Sequence, residues 1–396
     1  MTHAANDVAR PAKRRRRKIT DPEDYFLPPK LPAAKDVAMR IRGTDRAGRD
    51  YARRLAALGL IHCETPAWVS VRDLFLPAVA AINASSYAPG IREGALIAIL
   101  GDSHSGKTHI LRRLSWHIQL QEDTREEGLY RPLVRVKARA PTTMKGLGED
   151  ILTELRKRDT QPTSDNAPVR VRDLKHRTAR DIWSEMGSLL HHYGVSVLII
   201  DEVHNVLVRG AAEDYETTAA AIKSLVIDEH WPMIVVLAGT KAKMGRLIKT
   251  AEELETRVEP VDIEPIAKGQ TNEIKAFVVA IEKKLDLPES SGLGDKDRPE
   301  RFWLASQGHR GRIAKLIYRA AREAYNTARP RLDDALFADV LRRRYNVIDA
   351  VNPFLDAKLD SATPIPDEAW ENKDDDEDDD DDDDEISLTG NGRGLK

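Results

Sequence analysis

The segment ALIAILGDSHSGKT, residues 95–108, passes from an apolar run directly into a loop of the form G-x-x-x-x-G-K-[ST]. The two glycines allow the backbone to turn so that its N–H groups face a phosphate. A predicted strand precedes the loop and a predicted helix follows it, which is the context that this pattern requires. The pattern predicts a nucleoside triphosphate site formed by Gly101, Asp102, Ser103, His104, Ser105, Gly106, Lys107 and Thr108. In it, Lys107 reaches the β- and γ-phosphates and Thr108 ligates Mg²⁺.

Strand-like and helix-like segments alternate from residue 95 to about residue 265. The runs ALIAIL, PLVRVKA, VSVLII and MIVVLAG read as short strands, with helical patterns between them. Alternation of this kind predicts an α/β fold, with a parallel sheet flanked by helices on both faces. After residue 270 only helical patterns follow. We therefore predict an arm over 1–34, an α/β core with N-terminal helices over 35–268, a small helical domain over 269–350, and a linker with an acidic tail over 351–396.

Charge is distributed unevenly along the chain. The net charge is −3, but it includes twelve consecutive acidic residues from Asp374 to Glu385, and without them the net charge would be +9. The segment KRRRRK, Lys13 to Lys18, carries part of the positive charge. A basic body predicts a polyanionic partner. We expect the arm over 1–34 and the acidic tail to be disordered.

Cysteine content and hydropathy restrict the location of the chain. Cys63 is the single cysteine, so one chain cannot build a disulfide framework or a cysteine-based zinc site. The N-terminus lacks the apolar region of a secretory leader, and no apolar run is expected to span a membrane. The sequence therefore predicts a soluble cytoplasmic protein without a membrane partner.

A second motif, VSVLIIDEVHNVL, places Asp201 and Glu202 at the end of a predicted buried strand. This pattern is typical of a Walker B motif, in which Asp201 holds Mg²⁺ and Glu202 polarises the attacking water. The alternative is a helix N-terminus whose acidic residues interact with the helix dipole. We regard His104 and His204, which stand near these motifs, as surface residues.

Further candidate residues follow the last two strands. Thr240 ends the strand MIVVLAG and is a candidate water-orienting residue, with an ordinary helix N-cap as the alternative. Arg257 precedes a strand and is a candidate finger for the γ-phosphate of a neighbouring subunit. Its alternative is a surface arginine paired with Glu255 or Glu259. In SQGHRGRIAKLI, Arg310 or Arg312 is a candidate nucleotide contact, or a basic residue that faces solvent or DNA.

The succession GDSHSGKT, LIIDEVHNV, VVLAGT, LETRV and GHRGRIAKLI resembles the TniB/TnsC family of transposon AAA+ ATPases over about residues 35–330. The resemblance implies an AAA+ P-loop fold with a C-terminal helical lid, which hydrolyses ATP with Mg²⁺. It implies a homo-oligomeric ring or helical filament on double-stranded DNA that links a target-selection protein to a transposase. Gly311 departs from the family pattern, which places an arginine three residues after Gly308. The acidic tail lies outside that pattern.

The resemblance also implies a DNA-contacting surface after the second strand of the core, where this chain reads VRVKARAPTTMKG. Lysine and arginine side chains supply charge there, and threonine hydroxyls supply directed hydrogen bonds. The candidate DNA-binding residues are Lys137, Arg139, Thr142, Thr143 and Lys145. An edge strand protected by charges is the alternative.

Two classes of function remain after the sequence analysis. The first is an ATP-dependent, DNA-binding regulator of transposition. The second is a nucleotide-dependent AAA+ or STAND-like switch or scaffold that acts on protein partners. A metabolic phosphotransferase is disfavoured, because we find no set of residues for a small-substrate pocket.

Overall fold

The computed structural model describes residues 21–31, 33, 45–85, 94–125, 128–156, 178–207, 212–227, 231–250, 255–355 and 363–370. The basic run Lys13 to Lys18 and the acidic run Asp374 to Glu385 lie outside these residues. The strands are β1 (Ala95–Leu100), β2 (Asp123–Arg125), β3 (Gly128–Tyr130), β4 (Leu133–Lys137), β5 (Val197–Asp201), β6 (Ile234–Gly239) and β7 (Val258–Asp262). The α-helices are α1 (Arg46–Gly59), α2 (Pro66–Ser85), α3 (Lys107–Leu114), α4 (Met144–Arg156), α5 (Ala179–His192), α6 (Ala212–Val226), α7 (Lys241–Thr250), α8 (Thr271–Glu282), α9 (Arg298–Ser306), α10 (Arg310–Asn326) and α11 (Asp334–Tyr345).

The main sheet has five parallel strands in the order β4-β5-β6-β1-β7. β6 lies between β1, which leads into the phosphate loop, and β5, which carries the acid pair. All carboxyl ends of parallel strands meet at one edge, so the loop, the acid pair and the residue after β6 converge there. The predicted parallel sheet is confirmed, and β2 and β3 form a separate short hairpin.

Two apolar layers cover the sheet because alternate strand residues point to opposite faces. Leu96, Ala98 and Leu100 pack with helices α4, α5, α6 and α7 on one face. Ile97 and Ile99 pack with α2 and α3 on the other face. β5 and β6 are buried along their whole lengths, as a strand covered on both faces must be.

A third apolar cluster joins helices α8, α9, α10 and α11. Leu58, Ile61 and Cys63 of the α1 region belong to this cluster. The hydroxyl of Tyr318 on α10 also donates to the Ile61 carbonyl over 3.4 Å. We expected the N-terminal helices to belong to the α/β core, and α1 differs from that expectation because its buried residues face α10.

The structure also differs from the expected disordered arm. Phe26 is fully buried against Trp68, Phe75 and His117 on the α2–α3 side of the sheet. The neighbouring Glu23 carboxylate accepts hydrogen bonds from Trp68, Arg72 and Arg113. These contacts fix residues 21–26 on the core, although the sequence around them is polar and rich in proline.

The region after residue 351 differs from a simple polar linker in the same way. Ile365 and Trp370 are buried, with exposed fractions of 0% and 1%. The Ile365 N–H donates to the Leu304 carbonyl, and the Trp370 indole donates to the Ala305 carbonyl. The segment 363–370 is therefore packed on helix α9.

Helix α2 differs from the expectation that no apolar run is long enough to span a membrane. Within the described residues, Pro66–Ala84 is the one helix that meets the criteria of length and composition for a span. A core helix meets the same criteria, so this is weak evidence for a span. Trp68, Val71, Phe75 and Val79 on this helix pack against the sheet.

Candidate nucleotide site and basic loop

The phosphate loop connects β1 to α3 through residues 101–106. Gly106 has a φ of +106°, a left-handed conformation that glycine adopts without strain, and it stands directly before α3. Within the described residues, no side chain caps the first turn of α3. The first N–H groups of the helix are therefore oriented as an anion site requires.

Lys107 is held inside this loop. Its exposed fraction is 3%, and its Nζ donates to the carbonyls of Gly101 and Asp102 over 3.1 and 2.8 Å. Burial lowers the pKa of Lys107, while the charges of Glu202, Asp201 and Asp102 oppose that shift. The single cation of the loop thus lies among backbone carbonyls and faces the acid pair.

Asp201 joins the second motif to the first. The Thr108 hydroxyl donates to Asp201 Oδ2 over 2.7 Å, and the Glu202 N–H donates to Asp201 Oδ1 over 2.8 Å. Burial and the charge of Glu202 raise the pKa of Asp201. A buried carboxylate beside a hydroxyl supplies the oxygen ligands that Mg²⁺ prefers.

The donor set fits a magnesium ion that is shared with a phosphate. Among the described residues, no group of three His, Cys, Asp or Glu side chains could hold a metal by itself. Mg²⁺ is commonly bound by one or two protein oxygens together with substrate phosphates and water. Thr108 and Asp201 are therefore the candidate ligands, with the remaining positions left to the nucleotide and water.

Glu202 is paired with a histidine that the sequence analysis placed on the surface. Glu202 has a φ of +53°, and its Oε2 lies 3.2 Å from His204 Nε2. Burial and the charges of Lys243 and Lys107 lower the pKa of His204 to about 4. The surface interpretation of His204 is wrong, because its ring is largely buried beside the catalytic candidate. The contact between Glu202 and His204 is visible only in the structure, since the spacing of the two residues matches no motif.

Thr240 and Arg257 lie at opposite ends of the parallel strands. Thr240 is at the carboxyl ends and Arg257 is at the amino ends. Thr240 follows β6 and is half-buried at the carboxyl edge, between β1, which leads into the phosphate loop, and β5, which carries Asp201. Arg257 immediately precedes Val258, which pairs with Leu96 near the start of β1. With a rise of about 3.3 Å per residue, Leu96 and the phosphate loop are about 17 Å apart. Arg257 therefore lies at the edge of the sheet that faces away from the loop of its own chain.

Helix α10 begins against the phosphate loop. A Cβ at Gly311 would collide with the His104 carbonyl oxygen and would lie 2.8 Å from the Gly106 nitrogen. The glycine that departs from the expected arginine pattern thus permits this close approach of helix and loop.

The two arginines beside Gly311 have acidic partners. Arg310 donates to Glu273 Oε2 over 2.9 Å and to the Glu264 carbonyl over 3.2 Å. Arg312, with an exposed fraction of 4%, donates to Asp367 Oδ1 over 2.6 Å. The structure thus assigns both guanidinium groups to partners outside the loop, and a nucleotide contact by either one stays a prediction.

The candidate DNA-binding residues lie from the end of β4 to the first turn of α4, residues 137–145, which we call the basic loop. Lys137 ends the edge strand β4 and pairs in register with Asp201. Arg139 is 79% exposed, with its Nε 3.5 Å from Asp150. Lys145 lies 3.9 Å from Glu149, and the Thr143 hydroxyl accepts the Gly146 N–H at the start of α4.

Hydrogen bonds tie the basic loop to the second motif. The Ala138 N–H donates to the Asp201 carbonyl over 2.9 Å, and the Thr142 N–H donates to the Asn205 carbonyl over 3.4 Å. The Asn205 amide donates to the Ala138 carbonyl over 2.9 Å. Asn205 is not among the candidate residues of the sequence, since only this contact distinguishes it. The basic loop is thus hydrogen-bonded to the segment that carries the acid pair.

Comparison with protein families supports the resemblance found in the sequence. A family model described as Bacterial TniB protein matches residues 77–268. The core of this chain is TniB-like. The TniB-like core contains both sequence motifs, β6 with Thr240, the basic loop and Arg257. The strand order above confirms the expected α/β fold class with a parallel sheet flanked by helices.

Among solved structures, the ORC2 protein of Aeropyrum pernix in ADPNP–ADP complexes is 16% identical, with a TM-score of 0.45, over 70% of this chain and 68% of that one. Cdc6p of Pyrobaculum aerophilum is 14% identical, with a TM-score of 0.47, over 74% and 71%. The A. pernix ORC1 protein in complex with DNA is 16% identical, with a TM-score of 0.46, over 74% and 70%. At these TM-scores the likeness supports no functional inference. No curated protein matches the chain.

Proposed function

We propose that this chain is an ATPase that assembles on double-stranded DNA and regulates DNA transposition. The observation that carries the proposal is the hydrogen-bonded junction of the basic loop with Asp201 and Asn205. It places exposed positive charge beside the nucleotide site, within a core that matches the TniB family. In this proposal, a target-selection protein and a transposase are the protein partners.

The residues of the site suit ATP hydrolysis. Lys107 and the N–H groups at the start of α3 bind the phosphates, and Thr108 and Asp201 hold Mg²⁺. A magnesium ion held by these two residues would neutralise phosphate charge during hydrolysis. Glu202 orients and polarises the attacking water, and Thr240 contacts the same water from the end of β6.

Assembly of several subunits completes the site in this proposal. Arg257 lies at the edge of the sheet that faces away from the phosphate loop of its own chain. An arginine there reaches a γ-phosphate only if that phosphate is bound to a neighbouring subunit. The proposed assembly is therefore a homo-oligomeric ring or helical filament.

Electron microscopy and duplex-binding titrations of the full chain test the proposal. We expect filaments or rings with ATP, Mg²⁺ and duplex DNA, and weak binding without ATP. Lys107→Ala removes the cation of the loop and should abolish the ATP-dependent part of both signals. Lys249→Ala, at an exposed lysine at the far end of α7, is the matched control.

Two other results would change the assignment. Assembly with ATP that needs no DNA, together with duplex binding that ATP does not alter, would favour a switch or scaffold that acts on protein partners. Unchanged ATP affinity in the Lys107→Ala protein would overturn the nucleotide site itself.

A further inference from the structure

A short 3₁₀-helix, Val203–Asn205, connects the catalytic candidate to the basic loop. It starts directly after Glu202, and the Asn205 N–H donates back to the Glu202 carbonyl over 2.8 Å. Val203 is fully buried in the core cluster that includes α4. One hydrogen-bonded turn thus contains His204 and Asn205 and begins at Glu202.

Asn205 holds the basic loop at two points. Its side-chain amide donates to the Ala138 carbonyl, and its backbone carbonyl accepts the Thr142 N–H. These two contacts bracket the exposed Arg139 in the loop. Asn205 therefore contacts the loop on both sides of Arg139, in addition to the bond from the Ala138 N–H to the Asp201 carbonyl.

His204 holds Glu202 from the opposite side of the same turn. Since the pKa of His204 is lowered to about 4, the ring is neutral near pH 7. A neutral ring has one N–H, and the contact of Nε2 with Glu202 Oε2 places that proton on Nε2. The other ring nitrogen faces the end of β6, where a Cβ at Gly239 would lie 3.4 Å from it.

The ring of His204 thus fills the space between the acid pair and the end of β6. Its contact restrains one oxygen of the Glu202 carboxylate, and so restricts the orientation in which that carboxylate meets a water molecule. Glu202 also acts electrostatically on Lys107 across this space. His204 is therefore placed to orient Glu202, and would act on the reaction only through that residue.

We propose that the turn Val203–Asn205 couples duplex DNA at the basic loop to ATP hydrolysis, with Asn205 as the contact to the loop and His204 as the contact to Glu202. This inference rests on the proposed function, because it takes DNA as the ligand of the basic loop. It adds a regulatory connection and two positioning residues to that function.

Steady-state ATPase assays of the full chain, with and without a linear duplex of random sequence, test the coupling. In the parent, saturating duplex should raise kcat severalfold. In Asn205→Ala this stimulation should fall below about twofold, while the salt slope of duplex binding stays as in the parent. Asn205→Asp has the same shape without the amide donor, and it replaces Asn205→Ala if that protein does not fold. Asn326→Ala, at an exposed asparagine of α10, is the matched control.

The His204 contact has its own prediction. His204→Ala removes the 3.2 Å contact of Nε2 with Glu202 Oε2 and should lower kcat by about 10-fold, the order of magnitude for losing a polar contact to a charged group. KM for ATP should change little, because the contact orients Glu202 and does not bind the nucleotide. His204→Gln restores a donor near the position of Nε2 and should recover part of kcat. His192→Ala, at an exposed histidine of α5, is the matched control.

The outcomes separate this inference from the proposed function. If the parent does not bind duplex, both fail. If the parent binds duplex with no change in kcat, or if Asn205→Ala keeps the full stimulation, only the coupling is overturned. Equal kcat in His204→Ala and the parent would remove His204 from the positioning role.

Discussion

The hydroxyl of Thr108 and the carboxylate of Asp201, 93 residues apart in the sequence, meet in a hydrogen bond of 2.7 Å. The bond spans the position of β6, which separates β1 from β5 in the sheet. It brings the two candidate ligands of Mg²⁺ to one point at the carboxyl edge. The elements that carry them pack into the core, so folding itself assembles this part of the site.

Glu202→Gln should retain ATP binding and slow hydrolysis. The amide keeps the shape of the side chain but cannot act as a base, and loss of such a group costs about 10²- to 10⁴-fold in kcat. Single-turnover hydrolysis and ATP titration measure the two effects separately. Glu213→Gln, at an exposed glutamate of α6, is the control. A normal turnover rate in Glu202→Gln would place the catalytic role on another residue.

Arg257→Ala should leave ATP binding by single subunits intact and reduce both hydrolysis and ATP-dependent assembly. The reason is that Arg257 lies about 17 Å along the sheet from the phosphate loop of its own chain. Mixing Arg257→Ala with Lys107→Ala should restore part of the activity, because each protein contributes the part that the other lacks. Light scattering confirms that mixed assemblies form. Mixed assemblies without any recovered hydrolysis would argue against a shared site.

Replacing Lys137, Arg139 and Lys145 together with alanine should weaken duplex binding and flatten its salt dependence. Each lost phosphate contact reduces the slope of log affinity against log salt by about 0.9, so three contacts correspond to about 2.7. Filter binding at several salt concentrations measures the slope. The control carries alanine at three exposed basic residues elsewhere, Lys249, Lys283 and Arg343. If the slope of log affinity against log salt falls by the same amount in both triple variants, the basic loop has no special contact with DNA.

His117→Phe should reduce the sensitivity of the fold to acid. His117 is fully buried among Tyr25, Phe26 and Phe75, and burial lowers its pKa to about 4 from the ordinary value of 6.5. Between these values the unfolded chain binds a proton that the folded chain does not, so stability falls as the pH falls. The contribution of this group between pH 7 and pH 5 is about 2 kcal/mol.

Urea unfolding at pH 7 and pH 5 measures this difference. The parent should lose more stability on acidification than His117→Phe, in which the ring stack is kept and the titrating group is absent. His192→Phe, at an exposed histidine, should behave as the parent does. Equal losses in the parent and His117→Phe would mean that His117 is protonated in the folded state as readily as in the unfolded one.

The parallel sheet and the two nucleotide motifs could be predicted because each depends on a local pattern. A buried strand followed by Gly101 or by Asp201 specifies both its own conformation and the edge of the sheet where its last residue lies. The position of Thr240 follows from the same rule. The separation of Arg257 from the loop follows from its place before a parallel strand.

The rest of the site depends on contacts that no local pattern encodes. His204 is distinguished by its burial beside Glu202, and Arg312 by an ion pair with Asp367, 55 residues away. Phe26 and Trp370 lie in short polar segments, which are too short to show an apolar periodicity. Burial of such side chains can be predicted only when the part of the fold that they pack against is known.

Burial of Trp370 determines where the chain can be shortened. The acidic run begins at Asp374, four residues after this side chain, which packs on Tyr345 and lies against Arg312. A protein that ends at residue 370 loses the whole run of negative charge and keeps the anchor. One that ends near residue 350, where the helical patterns of the sequence stop, also loses Phe354, Ile365 and Trp370 from the apolar cluster of the lid. Duplex-binding and unfolding measurements on the two lengths separate the effect of the negative charge from the effect of losing these three side chains from the cluster.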